Sequence, residues 1–498
     1  VSRYLEALKR PSNAIFAVVL IVLTAGVWTV VFFGGVLSRD LDGGIFVSVA
    51  SAMRSGSPLY AGVLDNKDPL FFGVMAGSGA ISPVLMFVLD WMWLAIASYG
   101  SFLLARKVMP LSTAFLVALV ATPFILVGPF YSPGLTNTPG SAVALLALGL
   151  LLNRKAVAAG IALGALLFLK LTVFPAILIC VLVALCIPTW RRTILRLLVA
   201  FAATTFAGLV LLFAFGSLSG YFDTFGHNRK YASDVMTYFG FEDSPMGHIN
   251  RLRDSWTTGE WLAIAVVLVI AVLGIIRLKP WQSTQRDEQR LIALWLPITL
   301  VLVGLSLAMT FVWSHHTQAI YLVSVLAVIV FAAVVSGKKL RWLTWILVLV
   351  ATWILSGWLT PSNFVDSWDA RRLAYDTSIA AVHEVPKDAV LLSTIPLNDF
   401  TFARLGTNDD RGFMTGVPSR AHLACPAFHL YDFSPAEDFA ALNSCIQNVD
   451  AILLTDNFVN FGNGGRAPFA RPILDYVANA FTCIKVDTSQ ICQRKATP

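Results

Sequence analysis

Residues 318–335 read QAIYLVSVLAVIVFAAVV, a run without a single charge, entered through Ser314-His315-His316-Thr317 and left through Lys338, Lys339 and Arg341. About 20 such residues in a helix span the roughly 30 Å of a bilayer's hydrocarbon core. Comparable runs recur near 14–37, 82–105, 110–129, 138–153, 156–169, 172–188, 195–215, 259–276, 291–311 and 341–359. Across all 498 residues, 57% are hydrophobic and only 13% charged, with mean hydropathy +0.73. Soluble domains carry about 25% charged residues. A large soluble enzyme, a disordered chain and a collagenous one are all excluded. The pattern predicts a polytopic α-helical membrane protein with about eleven transmembrane helices.

Charge then orients the spans. Residues 361–498 hold 11 basic against 15 acidic side chains, so the net charge of +7 is concentrated before them. Every second junction is basic: Lys9/Arg10, Arg106/Lys107, Arg154/Lys155, Arg191/Arg192, then Arg277/Lys279 with Arg286 and Arg290, then Lys338/Lys339/Arg341. Basic loops stay in the cytoplasm. An odd number of spans with these junctions inside predicts a cytoplasmic N-terminus and residues 361–498 outside. The positive charge is thereby topology, and nucleic acid is not an expected partner. The first span exceeds a signal-peptide core and no small-residue cleavage site follows it, so a retained anchor is expected. The stretch 156–188 reads as two short spans turning at Lys170.

Cys180 and Cys186 fall within a span, whereas Cys425, Cys445, Cys483 and Cys492 all fall in the segment placed outside. Four cysteines in an oxidising compartment predict two disulfides. Phe481–Val486 and Ser489–Arg494 read as a hairpin around Asp487-Thr488, which favours Cys483–Cys492 and leaves Cys425–Cys445. Ala389–Thr394 and Ala451–Thr455 are strand-like, and Ala436–Ile446 and Arg471–Phe481 have helical period. A C-terminal extracytoplasmic α/β domain over 361–498 is therefore expected, beside a transmembrane domain over 1–360. The glycine-rich Gly462-Asn463-Gly464-Gly465 lacks the Lys-Ser/Thr of a phosphate loop and reads as an ordinary surface turn.

Two outward stretches are longer than connection requires. In 38–81, Ile45, Phe46, Val49, Ala52 and Met53 share one helical face and Ser48, Ser51, Arg54 and Ser55 the other, the pattern of a helix lying in the membrane interface. That places Asp40 and Asp42 at headgroup depth, where a carboxylate can serve as general base toward a hydroxyl or simply cap the helix. Beyond Gly56-Ser57-Pro58-Leu59-Tyr60 comes Asp65-Asn66-Lys67-Asp68-Pro69-Leu70. Lys67 there can hold a phosphate as a point charge or only snorkel at the interface.

The order Asp at the end of the first span, interfacial helix, Gly-x-x-Leu-Tyr, then Asp-Asn-Lys-x-Pro-Leu resembles the GT-C glycosyltransferases. These are membrane enzymes using polyprenyl-phosphate sugars, such as the lipid A aminoarabinose transferase and the protein O-mannosyltransferases. The resemblance is dense over 38–72 and elsewhere a matter of layout. It implies a GT-C-like membrane domain, Asp42 as catalytic base with Asp40 second, and Lys67 on the lipid phosphate. The chain departs from the pattern twice: Asp68 replaces the first proline of the Lys-Pro-Pro motif, and the acidic pair is spaced as Asp-Leu-Asp.

The second stretch, 216–258, carries Tyr221, Phe225, His227, Arg229, Lys230, Tyr231, Asp234, Tyr238, His248, Arg251 and Arg253. Similar enzymes draw another phosphate cation from such a loop. Arg229 or Lys230, or else Arg251 or Arg253, fits that role, and Lys170 is a further phosphate-binding candidate. His315, His316 and Tyr321, with Tyr60, are candidates to line the substrate cleft. Asp90, inside the second span, is given no role.

The resemblance implies an inverting glycosyltransferase. It would move a sugar from a polyprenyl-phosphate donor to a hydroxyl of an extracytoplasmic glycolipid, cell-wall glycan or protein. Side-chain cations make a cofactor unnecessary, and a divalent metal is not expected although paired aspartates can bind one. Competing readings are a lipid-linked polysaccharide polymerase or ligase, and a transporter or flippase. Transporters usually show repeated halves with broken midplane helices, and no repeat is present. The absence of Asn-x-Ser/Thr sequons leans toward a bacterial plasma (inner) membrane.

Overall fold

A computed structural model describes residues 67–81, 83–129, 136–238, 240–282, 286–311, 314–336, 341–357, 390–393, 422–423, 443–444, 446–455, 470–486 and 489–495, with short pieces at 18–26, 28, 46, 49–50, 53–54, 56 and 58–60. The chain is mostly helical. In order come α1 Pro69–Ile81, α2 Pro83–Val108, α3 Leu111–Leu126, α4 Asn137–Leu152, α5 Ala156–Leu167, α6 Phe174–Cys186, α7 Arg191–Ala214, α8 Leu218–Tyr238, α9 Pro245–Ser255, α10 Thr258–Leu278, α11 Asp287–Thr310, α12 Gln318–Val335 and α13 Arg341–Leu355. Five of the described helices, within α2, α7, α10, α11 and α12, are long and apolar enough to cross a membrane. Others are short: α5 has 12 residues. The stretch 216–258, expected as a loop, is instead largely the helices α8 and α9. The residues 14–17 and 29–37 of the first expected span lie outside the described residues, while 18–26 are helical.

Four of the basic junctions, the ones among the described residues that the following contacts join, gather at one end of the bundle. Arg106 Nε donates to Asn153 Oδ1 at 3.0 Å, and Asn153 Nδ2 returns to Leu103 O and Gly149 O at 2.8 Å. Arg154 donates to Thr189 O at 2.6 Å while its guanidinium lies 3.9 Å from the Trp190 ring centre. Thr189 Oγ1 in turn donates to Asp287 Oδ2 at 2.6 Å, and Asp287 faces Arg290 at 3.4 Å. Four basic turns are thus stitched side by side, as their alternation along the chain requires.

The opposite end collects the other turns. Leu70 N–H donates to Phe168 O at 2.8 Å, Lys170 Nζ to Thr136 Oγ1 at 2.9 Å, and Trp256 Nε1 to Thr317 Oγ1 at 2.9 Å. The turn at Lys170 therefore does reverse the chain between α5 and α6, both of which are shorter than a membrane span.

Between the ends, α2 packs on α4, α5 on both α4 and α7, and α12 on α10, α11 and α13. At the α2–α4 crossing the backbones nearly touch. A Cβ on Gly100 would lie 2.5 Å from Leu146 N, and one on Gly149 would lie 2.6 Å from Gly100 O. Small residues permit such approach where no hydrophobic force separates helix from lipid. In α3 the turn Val117–Ala121 widens to a π-helix ahead of Pro123. Proline offers no N–H to the carbonyl four residues back. That carbonyl, Leu119 O, instead accepts the Trp28 indole at 2.9 Å, which fastens the first helix to α3.

Strands β1 Val390–Ser393, β2 His422–Leu423, β3 Ala451–Thr455, β4 Phe481–Val486 and β5 Ser489–Arg494 form one sheet in the order β2-β1-β3-β5-β4. β1 runs parallel to β2 and β3, whereas β5 is antiparallel to β3 and β4. Helix α14 Ala470–Ala480 buries Ile473 and Val477. The hairpin sets Cys483 opposite Cys492, and the two form a disulfide. Cys425 and Cys445 lie outside the described residues.

Because backbone, not a rotatable side chain, occupies the space beside Gly100, Gly100→Leu should cost about 1–3 kcal/mol or more. Heating the detergent-solubilised protein should show this as a clearly lowered unfolding midpoint, with Gly73→Leu, where a Cβ meets nothing within 4 Å, as the neutral control.

Candidate functional site

The segment Lys67-Asp68-Pro69-Leu70 meets the turn 168–171 edge to edge. Pro69 opens α1, a position where its missing N–H costs nothing. The next N–H, from Leu70, is used outside the helix on Phe168 O, and Asp68 Oδ2 accepts the N–H of Leu171 at 3.1 Å. Two hydrogen bonds thus lock the segment that follows Lys67 to the turn that carries Lys170. The Lys170 stem runs across Gly140, where a Cβ would lie 2.6 Å from the lysine Cβ, so only glycine lets it through to Thr136.

Tyr60 supports the same segment from outside. Its hydroxyl donates to Lys67 O at 2.6 Å, and its ring lies 5.8 Å from that of Tyr221. Gly220 makes room for it, since a Cβ there would fall 2.6 Å from Tyr60 Cβ. Tyr60 holds φ 67, a left-handed conformation that costs a non-glycine residue about 1–3 kcal/mol unless its surroundings impose it. Here both the ring and the hydroxyl are pinned. Phe168 and Phe225 complete the aromatic wall around Tyr221, at 6.3 and 5.4 Å between ring centres.

Phe46 closes another side. It is buried against Phe71 at 5.3 Å and Phe72 at 5.7 Å, and Lys67 Nζ stands 5.7 Å from its ring centre. The amphipathic stretch 45–55 therefore turns Phe46 and Val49 into protein rather than into lipid. Asp40 and Asp42 lie outside the described residues.

The electrostatics of the three charged groups are mutual, and all three lie in connecting segments. Burial pushes the Asp68 carboxyl up, opposed first by Lys170, then by the Leu171 N–H and by Lys67. Burial brings the Lys170 ammonium down to about 8, with Asp68 holding it up and Lys67 pressing it lower. Tyr221 is pushed up by burial and then by Asp68. With all three ionised, the two lysines and one carboxylate sum to one positive charge.

The other candidates are more scattered. Arg229 and Lys230 are exposed on α8, roughly 12 Å further along its axis than Tyr221 at 1.5 Å per residue. Arg251 stacks 5.9 Å over Phe241, and Arg253 pairs with neighbouring Asp254 at 3.3 Å. Tyr321 is buried beside Gly128, whose Cβ would strike its hydroxyl. His316 Nδ1 lies 3.2 Å from Thr310 O, and the side chain of His315 falls outside the described residues. Asp90 is buried in α2.

Sequence reading passed over two buried polar groups. Thr136, only 2% exposed, receives Lys170; nothing in its immediate sequence signals that. Glu260 closes a capping box with Thr257, accepting the Thr257 N–H at 2.8 Å and the Thr257 hydroxyl, and its Thr-x-x-Glu spacing was legible beforehand. Among the described residues no group of three or more His, Cys, Asp or Glu could hold a metal ion.

No protein-family model and no curated protein matches the chain. Solved structures of similar shape include an archaeal oligosaccharyltransferase AglB from Archaeoglobus fulgidus in complex with an inhibitory peptide and a dolichol-phosphate. It aligns at 11% identity and TM-score 0.48, over 99% of this chain and 75% of that one. An Archaeoglobus fulgidus oligosaccharyltransferase in complex with Zn and sulfate aligns at 12% identity and TM-score 0.49, over 93% and 71%. At these scores the likeness carries no argument about what the chain does.

Tyr60→Phe removes one buried hydrogen bond to Lys67 O and should cost about 1 kcal/mol. Tyr60→Ala also empties the space beside Gly220 and Tyr221 and should cost about 3–5 kcal/mol. Both are measured as losses in the midpoint of thermal unfolding in detergent, and equal losses would contradict the packing role of the ring.

Proposed function

We propose that the chain is a membrane glycosyltransferase that moves a sugar from a polyprenyl-phosphate donor to an acceptor hydroxyl, with inversion at the anomeric carbon. The observation that carries this reading is the Lys67–Asp68 segment laced to the Lys170 turn at the end of the bundle opposite the basic junctions. That is where a GT-C-like enzyme needs its phosphate cations, and the neighbouring sequence supplies the rest of the motif.

In the proposed reaction Asp42 takes the proton of the acceptor hydroxyl, with Asp40 as its second. The oxygen bonds to the anomeric carbon as the bond from that carbon to the phosphate oxygen breaks. The electron pair leaves on the phosphate, whose charge grows by one unit. Lys67 and Lys170 meet that charge from fixed positions, so little reorganisation is needed as it develops. Arg229 and Lys230 serve the donor from α8 as it enters. Tyr60, His315, His316 and Tyr321 border the substrate cleft. No metal takes part in this scheme.

The reading places the basic junctions in the cytoplasm and the sheet-bearing C-terminal segment outside a bacterial plasma membrane, with a second disulfide, Cys425–Cys445. A transporter is disfavoured because the coupled charges lie in turns at one end instead of at broken helices near the midplane.

Transfer from a panel of radiolabelled polyprenyl-phosphate sugars to native membrane lipid tests the proposal, with and without a chelator. The purified parent should turn over one donor in either condition, and Asp42→Asn should lose at least about 10²-fold in kcat, the lower range for general-base removal. Parent-like turnover by a folded Asp42→Asn protein would sink the mechanism. Topology has its own check. The denatured, unreduced chain should expose two free thiols, Cys180 and Cys186; six would place the C-terminal segment inside, and four would mean that only one of the two disulfides forms.

A further inference from the structure

Asp68 is out of place if Lys67 alone binds phosphate, since it sets a carboxylate beside the anion's partner. Its orientation gives it another task. Its Oδ2 is turned onto the Leu171 N–H at 3.1 Å, and among the described residues Asp68 and Lys170 make no direct ion pair. The Lys170 ammonium spends one of its three N–H bonds on Thr136 Oγ1 at 2.9 Å. Two donors therefore stay open on Lys170, within the field of a carboxylate that does not cover them.

Three bonds fix the frame: Asp68 to Leu171, Leu70 to Phe168, and Tyr60 to the Lys67 carbonyl. We propose that Asp68 is a positioning residue that holds Lys67 and Lys170 as a matched pair of cations for a phosphate monoester, with Lys170 receiving the charge that appears when the ester to the sugar breaks. This rests on the proposed glycosyltransferase function but extends it to a residue at which the resemblance breaks down. Asp68 acts twice, through its hydrogen bond, which sets the spacing of the two segments, and through its charge, which favours the protonated form of Lys170 beside Lys67.

The groups facing Lys170 among the described residues are Asp68 and Lys67 from the α1 approach and Thr136 from the head of α4; Tyr221 from α8 faces Asp68. Burial lowers Lys170 to about 8 even with Asp68 present. Below that pH Lys170 is charged, and above it the cation is lost. Removing the negative charge moves that loss to lower pH. Asp68→Asn keeps an oxygen for the Leu171 N–H and removes only the charge, whereas Asp68→Ala removes both.

The test uses the full chain in detergent with dodecyl phosphate as the probe, its binding followed calorimetrically from pH 6.5 to 10. The parent should bind, with affinity falling as pH passes about 8. In Asp68→Asn the fall should come about one pH unit earlier, the order of shift a neighbouring charge produces. Lys170→Gln should bind about tenfold more weakly with no such fall, and Lys170→Arg, charged throughout, should bind without the fall. Asp68→Ala should weaken binding at every pH.

A fall at the same pH in parent and Asp68→Asn overturns the proposal, as does its persistence in Lys170→Gln or an absence of dodecyl phosphate binding by the parent. The transferase reading fails separately. If the binding pattern holds and no sugar is transferred, the phosphate site stands and the reaction assigned to it does not.

Discussion

In hydrocarbon a backbone N–H or C=O without a partner costs several kcal/mol, so a spanning segment must satisfy itself as a helix and leave its polar side chains to the ends. That constraint makes this molecule two-ended. At one end lie arginines and lysines, tied by Asn153, Thr189 and Asp287 into a continuous polar seam. At the other lie the turns that carry Lys67, Asp68, Lys170 and Trp256. At Pro123, one of the places where a proline interrupts the helical ladder inside the bundle, the chain sends the Trp28 indole to the widowed carbonyl. That carbonyl obeys the same rule.

The helices were legible because their signal is additive over many residues. The expected span 138–153 is the helix Asn137–Leu152, and 318–335 is Gln318–Val335. The turn at Lys170 was legible because a lone cation between two apolar runs marks an exit from the membrane. Strands Ala451–Thr455 and Phe481–Val486 and the Cys483–Cys492 bridge followed from short-range pattern and a tight turn. The helix in 218–238 was not, because its tyrosines, charges and small residues have a mean hydropathy too low to compete with the surrounding spans. A helix that lies on a surface needs only one apolar face, and here Tyr221 and Phe225 supply it.

The site was legible in part. Tyr60, Lys67 and Lys170 were each singled out from sequence, and the fold brings them together; Arg229 and Lys230 were singled out on the same grounds and stand apart. What sequence could not supply is pairing across distance. Asp68 and Leu171 are 103 positions apart, and Lys170 and Thr136 are 34. Nothing in the composition near Thr136 or Gly140 says that one will hold an ammonium and the other will stand aside for its stem. Asp68 looked like a flaw in a motif until the backbone N–H it serves came into view.

The length of α5 sets one more property of the molecule. Its 12 residues rise only about 18 Å at 1.5 Å per residue, against the roughly 30 Å of a hydrocarbon core. The 24 residues of neighbouring α7 rise about twice as far. The turn that carries Lys170 consequently ends an α5 only half as long as the α7 it packs against. In the proposed reaction, a phosphate tethered to a long apolar chain would be held at the level of that turn by its own anchor.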